Sequence, residues 1–301
     1  MSGYLDPAYA ESLSEFGAPL SLPHCGGWLL EREIPHTKLR DAMGCYPLFA
    51  CQNWSKLKTD LQDLDQDLVS VCLVTDPFGD FDVAYLRECF PYLVKPFKDH
   101  FVTDLSQPLE SFVHPHHLRN ARNALRKLDV ERCIRPLDFL DDWASLYEIL
   151  VQRHEISGIT AFSKNSFARQ LAVPGIVAFR AVEHDNTVGM LLWYTQDDRA
   201  YYHLGAYSQR GYETGASFAL FDHALRYFCS QEIKWLNLGA AAGSTGSDSG
   251  LARFKQGWSN GVRTAYFCGR ILAPKEYEQL VAATNTGSTD YFPAYRLGEF
   301  R

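Results

Sequence analysis

The sequence predicts an α+β fold, mixed sheets flanked by helices, and three stretches carry that prediction. Residues 199–238 read as strand, glycine-bearing turn, helix and strand, a βαβ-like unit. Leu68–Thr75 (LVSVCLVT) is a continuous, β-branched apolar run, the pattern of a buried strand. The turn Asp76-Pro77-Phe78-Gly79 closes it. Leu137–Arg153 places Phe139, Trp143, Leu146, Ile149 and Leu150 at helical spacing, which makes an amphipathic helix.

At 301 residues the chain has room for one large domain or two medium ones. With 46% hydrophobic and 22% charged residues it is globular in composition rather than disordered. A formal net charge of -7 excludes a global basic footprint for nucleic acid and leaves room only for local patches. There is no apolar run long enough to span a membrane, and the acidic, polar start lacks the features of a signal peptide. The expectation is a cytoplasmic protein. Eight cysteines (25, 45, 51, 72, 89, 133, 229 and 268) are scattered, several inside apolar strands, and read as free thiols of a reducing compartment.

Taken in order, residues 1–25 read as a partly ordered lead-in. Trp28–Leu30 and Leu48–Cys51 are short strand candidates, and Phe81–Cys89 is a short helix. Tyr92–Phe101 reads as an extended pair broken by Pro96. A linker at Ser106–Pro115 leads to a basic helix, His116–Leu128, with Arg119, Arg122 and Arg126 on one face. That face is either solvated or contacts an anionic substrate or RNA. Val130–Arg135 is a strand, and the amphipathic helix then ends at His154-Glu155-Ile156-Ser157-Gly158, before the loop at Phe162-Ser163. Strands Ile176–Val182 and Val188–Tyr194 flank the hairpin turn His184-Asp185-Asn186. In the helix of the βαβ-like unit, Asp222, Arg226 and Ser230 share a face expected to meet water. Leu220, Phe221, Ala224, Leu225, Tyr227 and Phe228 form the face that packs on the sheet. Residues 239–250 contain only Gly, Ala, Ser, Thr and Asp. They lie at a strand's carboxyl end, where open α/β sheets place ligands. A short helix (Leu251–Gln256), a strand (Thr264–Ile271), a tail helix and a docked aromatic cluster at Tyr291-Phe292-Pro293-Ala294-Tyr295 complete the chain.

The turn before that helix, Gln209-Arg210-Gly211-Tyr212-Glu213-Thr214-Gly215, offers amides without intrahelical partners to an anion. It resembles the Arg-Gly-Tyr-Gly-Thr form of the pyrophosphate loop of GNAT acyltransferases, with Glu213 where that family usually has a second glycine. A second block, Gly250-Leu251-Ala252-Arg253-Phe254-Lys255-Gln256-Gly257-Trp258, is similar to the Gly-Leu-x-x-Phe-Lys segment of the FemAB-like branch. Members of that branch transfer amino acids or other acyl groups to amines. The resemblance covers residues 115–272. It implies tandem GNAT-like subdomains with mixed, mainly antiparallel sheets: a diverged one at 1–113 and an acyltransferase one at 114–301. It further implies that Gln209, Arg210, Gly211, Tyr212, Thr214 and Gly215 hold the phosphates of acyl-CoA or, as an alternative donor, of aminoacyl-tRNA. The loop holding His154, Phe162 and Ser163 would line the acceptor site.

Acyl transfer develops an oxyanion, and a fixed cation beside it lowers the barrier. The resemblance puts the Phe254-Lys255 pair there; a surface lysine is the plainer reading. His203, just ahead of the turn, has a side chain suited to deprotonating an amine, or is simply a satisfied core histidine. His154, with Glu155 beside it, and Asp248 in the glycine-serine loop are further candidates for positioning the acceptor. His114-Pro115-His116-His117 fits no standard zinc spacing, so no metal is expected. Gly243-Ser244-Thr245-Gly246 lacks the ending of a P-loop, and no nucleophile elbow is present. Direct transfer in a ternary complex follows as the expectation. The expected function is an N-acyltransferase acting on a small-molecule or cell-envelope-precursor amine. A non-catalytic binding protein that keeps the fold is the alternative of another class.

Overall fold

The structure, a computed structural model, describes residues 1–64, 68–240, 250–284 and 289–299. In chain order its elements are α1 (Pro7–Ser12), β1 (Ala18–Leu22), β2 (Gly27–Glu33), β3 (Arg40–Gly44), α2 (Leu57–Asp63), β4 (Leu68–Val74), α3 (Val83–Cys89), β5 (Leu93–Asp104), α4 (Leu109–Phe112) and α5 (Pro115–Ala124). Then come β6 (Asp129–Cys133), α6 (Leu140–His154), α7 (Lys164–Gln170), β7 (Ile176–Glu183), β8 (Asn186–Gln196), β9 (Arg199–Tyr207), α8 (Gln209–Thr214), α9 (Ala216–Cys229), β10 (Trp235–Gly239), α10 (Gly250–Gln256), β11 (Gly261–Ile271) and α11 (Pro274–Thr284).

The chain divides into two compact units. An N-terminal unit takes residues 4–97, 157–160 and 264–301, and a central unit takes 1–3, 98–156 and 161–263. This differs from a single cut between residues 113 and 114, because the C-terminal tail groups with the first part of the chain. Two of the unit boundaries fall inside β5 and β11.

Both units are built to one plan. In the N-terminal unit the strand order is β1-β2-β3-β4-β11, antiparallel except for the parallel pair β3–β4. In the central unit it is β5-β10-β9-β8-β7-β6, antiparallel except for the parallel pair β9–β10. In each, an antiparallel meander is followed by a helical crossover to a parallel strand, as parallel pairing requires. A mainly antiparallel mixed sheet with helices is the expected fold class.

The central core gathers Phe179, Leu191, Trp193, Leu220, Phe221, Phe228, Leu236 and Trp258 between the sheet and α5, α9 and α10. The N-terminal unit buries Leu29, Phe49, Trp54, Leu57, Leu68, Val71 and Leu86. In a second cluster of that unit Phe292 and Tyr295 pack with Tyr277 of α11, so the aromatic tail is docked as expected.

Several local expectations change. Residues 1–25 are ordered: Asp6 caps α1 through the Ala8 amide, and Tyr9 and Leu13 are buried. Leu48–Cys51 forms only an isolated bridge, Phe49 to Thr75. β5 runs unbroken through Pro96, whose missing amide costs no bond to β10 because that ladder uses Phe101–Asp104. Asp222 does not face water. It is buried and accepts from Arg226 at 2.9 and 3.1 Å, while Arg226 and Ser230 on the same face are exposed as expected. All eight cysteines are free thiols. Among the described residues no helix is long and apolar enough to cross a membrane.

Candidate active site

The parallel pair of the central unit is short. Arg199–Tyr201 of β9 meet Trp235–Asn237 of β10, and the ladder ends there although β9 continues to Tyr207. β9 is also bulged against β8: Leu204 faces Leu192 and Tyr202 faces Trp193, leaving His203 as the extra residue. Bulges of this kind re-aim side chains and often sit beside active sites. The end of this ladder, at the carboxyl end of β10, is where ligands bind in open sheets.

Lys255 reaches this place from α10. Its Nζ donates to the Ala240 carbonyl oxygen at 2.7 Å and lies 5.4 Å from the centre of the Tyr202 ring. The side chain is buried, 6% exposed. Burial, with Lys98 nearby, pulls its pKa down to about 7. Gly239, at φ +73°, turns the chain there, and a Cβ on it would stand 3.2 Å from that ammonium. Phe254, one residue earlier, points elsewhere. It packs on Phe218 and Phe221 at 5.1 and 4.9 Å between ring centres. Neighbours on a helix do not share a face, so Phe254 anchors α10 in the core while Lys255 faces the end of β10.

Two residues that sequence reasoning missed complete this corner. His100 of β5 places Nδ1 3.0 Å from Asn237 Oδ1, which also accepts the Gly239 amide at 2.8 Å. The amide oxygen is therefore the acceptor, and His100 carries its proton on Nδ1. Burial, reinforced by Lys255 and Lys98, lowers the His100 pKa to about 4. The available signal was Asn237 itself, a polar residue inside the apolar run Trp235-Leu236-Asn237-Leu238, which needs a partner if buried.

His203 is not placed to act as a base at neutral pH. It lies within β9, 6% exposed, with Nε2 3.0 Å from Gln170 Oε1. Burial lowers its pKa to about 3.

Gln209–Thr214 forms helix α8 rather than an open turn. Ser208 caps it, its Oγ accepting the Gly211 amide at 3.1 Å. Gly211 is required by packing, since a Cβ there would collide with the Val188 carbonyl oxygen. Gly215, at φ +75°, links α8 to α9. Arg210 donates to both carboxylate oxygens of Glu183, at 2.6 and 2.7 Å, and approaches Glu213 at 3.5 Å. The pair holds the Glu183 carboxyl below its usual range. Thr214 Oγ1 donates to the Arg210 carbonyl, Gln209 to Glu213, and the Arg153 guanidinium covers the Tyr212 ring at 4.2 Å.

Phe162 packs on Tyr147 and Phe167 and, with Asp141, Glu148 and Lys164, lines a cavity of about 520 Å3. Ser163 caps α7 through the Ser166 amide. His154 is exposed at the end of α6, and Glu155 turns the chain in a left-handed conformation. Asp248 lies outside the described residues. The basic helix is α5, which ends at Ala124 rather than at Leu128, so Arg119 and Arg122 lie on it and Arg126 in the turn that follows, all three exposed. It is tied to α10 by His117 Nε2 on the Phe254 carbonyl at 3.0 Å and by the His114 amide on Gly257 at 2.9 Å.

Residues 115–256, from α5 to the end of α10, match the family model described as the acetyltransferase (GNAT) domain. The match covers just under half of the chain, and the architecture around it is of the GNAT type. The chain's fold is similar to that of FemX, at 14% identity, covering 91% of this chain and 93% of that one with a TM-score of 0.67. L-PGS from Bacillus licheniformis is also 14% identical, covering 90% of this chain and 93% of that one at 0.60. The C-terminal domain of a putative lysylphosphatidylglycerol synthetase from Agrobacterium fabrum is 11% identical, covering 95% and 94% at 0.64. No curated protein matches by sequence.

Proposed function

We propose that the protein moves an aminoacyl group from a charged tRNA to an amine, with Lys255 stabilising the oxyanion. The observation that carries this reading is the buried Lys255 ammonium at the end of β10. In its protonated form, which prevails below about pH 7, this lysine acts on developing charge more strongly than a cation in water, with no reorganisation at the moment of reaction. The amine attacks the acyl carbon, the carbon–nitrogen bond forms, the ester carbon–oxygen bond to the tRNA breaks, and the released ribose hydroxyl takes up the proton lost by the amine.

The choice of carrier follows from charge. At α8 the guanidinium of Arg210 already faces Glu183 and Glu213, which disfavours a diphosphate there. The exposed Arg119 and Arg122 of α5, with Arg126 just after it, sit on a segment fastened to α10, which carries Lys255, and suit an RNA backbone. One of the similar folds is named as a putative lysylphosphatidylglycerol synthetase, whose product carries an amino acid on a lipid. The acceptor is read as a cell-envelope precursor or small amine, bound in the cavity beside Phe162, where Glu148 favours a cationic group while Asp141 is paired with Lys164 at 2.5 Å.

A second reading, acyl-CoA as donor, is favoured by the acetyltransferase domain match. Labelled aminoacyl-tRNA and labelled acetyl-CoA, each offered with a panel of amines, separate the two. Transfer from tRNA alone supports the first reading, transfer from acetyl-CoA alone the second, and none from either contradicts both.

A further inference from the structure

The repeated plan gives the N-terminal unit its own parallel pair, β3–β4, in the position that β9–β10 holds in the central unit. This ladder also breaks. After Met43 against Cys72 the next pairing is Phe49 against Thr75, so residues 45–48 loop out before the strand direction is resumed. Beside that loop lies a cavity of about 330 Å3, lined chiefly by Met43, Cys72, Ile159, Phe267 and Phe292, with the exposed Phe97 at its edge. Its lining is mostly apolar, and its thiols are desolvated: burial pushes both Cys45 and Cys72 up to about 12.

Charge enters through four residues of the lining, Arg32, Lys95, Asp290 and Glu299. Arg32 is held by Asp41 at 3.2 Å and by Glu299 at 3.0 Å. Lys95 contacts the carbonyl oxygen of Asp290 at 3.4 Å and stands 5.9 Å from the centre of the Phe267 ring. Its ammonium, on a partly exposed side chain, lines the same cavity.

We propose that this cavity binds an unbranched acyl chain of medium length with an anionic head, the chain inside and the head at Lys95. The volume has room for about eleven groups the size of a water molecule. Arg32 is already answered by Asp41 and Glu299, so Lys95 is the cation left to orient an amphiphile by its head while the apolar walls select its tail. Purines and sugars would leave polar atoms unpaired against these walls. The proposal does not depend on the donor or acceptor assigned to the central unit.

The test is calorimetric titration of the full chain with decanoate, hexanoate, decyltrimethylammonium and short-chain phosphatidylglycerol. Decanoate should bind about a hundredfold more tightly than hexanoate, from the four additional methylenes. Lys95→Gln should weaken decanoate about fivefold and leave decyltrimethylammonium unchanged. Cys72→Phe, which fills the chamber, should abolish both; should that variant fail to fold, Lys95→Gln still decides the matter. Decanoate without the phospholipid identifies a free acid as the source, and the phospholipid without decanoate identifies a lipid. No binding of either anion, or binding that Lys95→Gln does not alter, overturns the proposal.

Discussion

Lys255 donates to the carbonyl oxygen of Ala240 at 2.7 Å, from a buried position over the Tyr202 ring. One carbonyl and one ring face are modest compensation for burying an ammonium. The residual cost appears as the lowered pKa, about 7 against 10.5 for the free side chain.

That cost gives a pH signature. Between pH 7 and 10.5 the unfolded chain holds a proton on Lys255 that the folded chain lacks. Stability therefore rises with pH across this window, and the full cost applies below it. Urea denaturation from about pH 7 to about pH 10 should show the wild type gaining up to about 1.4 kcal/mol per pH unit over Lys255→Met. Parallel curves for the two proteins would contradict the burial of the charge.

Acid should act through two histidines. His100 and His203 are buried and neutral, with pKa values lowered to about 4 and about 3, mainly by burial. Between those values and 6.5 the unfolded chain binds protons that the folded chain does not, so stability is lost as pH falls from 6.5 towards 4. The loss should be shallower in His203→Gln. That variant should keep most of its transfer activity, because His203 bonds Gln170 in the core. A His203→Gln protein that is stable but inactive would restore the base role.

Gly211→Ala should destabilise the protein by about 1–3 kcal/mol, since the added methyl must displace the Val188 carbonyl of β8. Thermal unfolding reads this directly. An unchanged melting temperature would mean that α8 shifts freely and that the glycine serves another purpose.

The fold is largely legible in the sequence because the strongest patterns are local. The run at Leu68–Thr75, the hairpin at His184-Asp185-Asn186 and the amphipathic helix ending at His154 each carry their own periodicity or turn chemistry. The exchange of segments between units is not legible, since pairing of β11 with β4 joins residues almost two hundred positions apart. Asp222 shows the same limit on a helix face: its spacing to Arg226 is readable, its burial is not. In the site, Lys255 is found through the block around Phe254, but the His100–Asn237 contact joins two distant strands, each ordinary alone. The surroundings of His203 escape a sequence reading because the bulge in β9 depends on the register with β8.

Donor binding should separate the two basic features. Arg210→Ala removes an ion pair to Glu183 that is already exposed, and should change donor affinity less than about threefold. Charge reversal at Arg119, Arg122 and Arg126 together should weaken charged-tRNA binding strongly. The slope against salt should fall by about 0.7–0.9 for each phosphate left without its arginine. Micromolar binding of coenzyme A that disappears in Arg210→Ala would return the donor site to α8.

The most direct measurement of Lys255's role is the single-turnover transfer rate of Lys255→Ala, with the donor and amine that serve the wild type. The rate should fall about 10²- to 10³-fold, with little change in donor affinity and an unchanged far-ultraviolet circular dichroism spectrum. A folded Lys255→Ala protein that transfers at the wild-type rate would show that the buried ammonium takes no part in the chemistry.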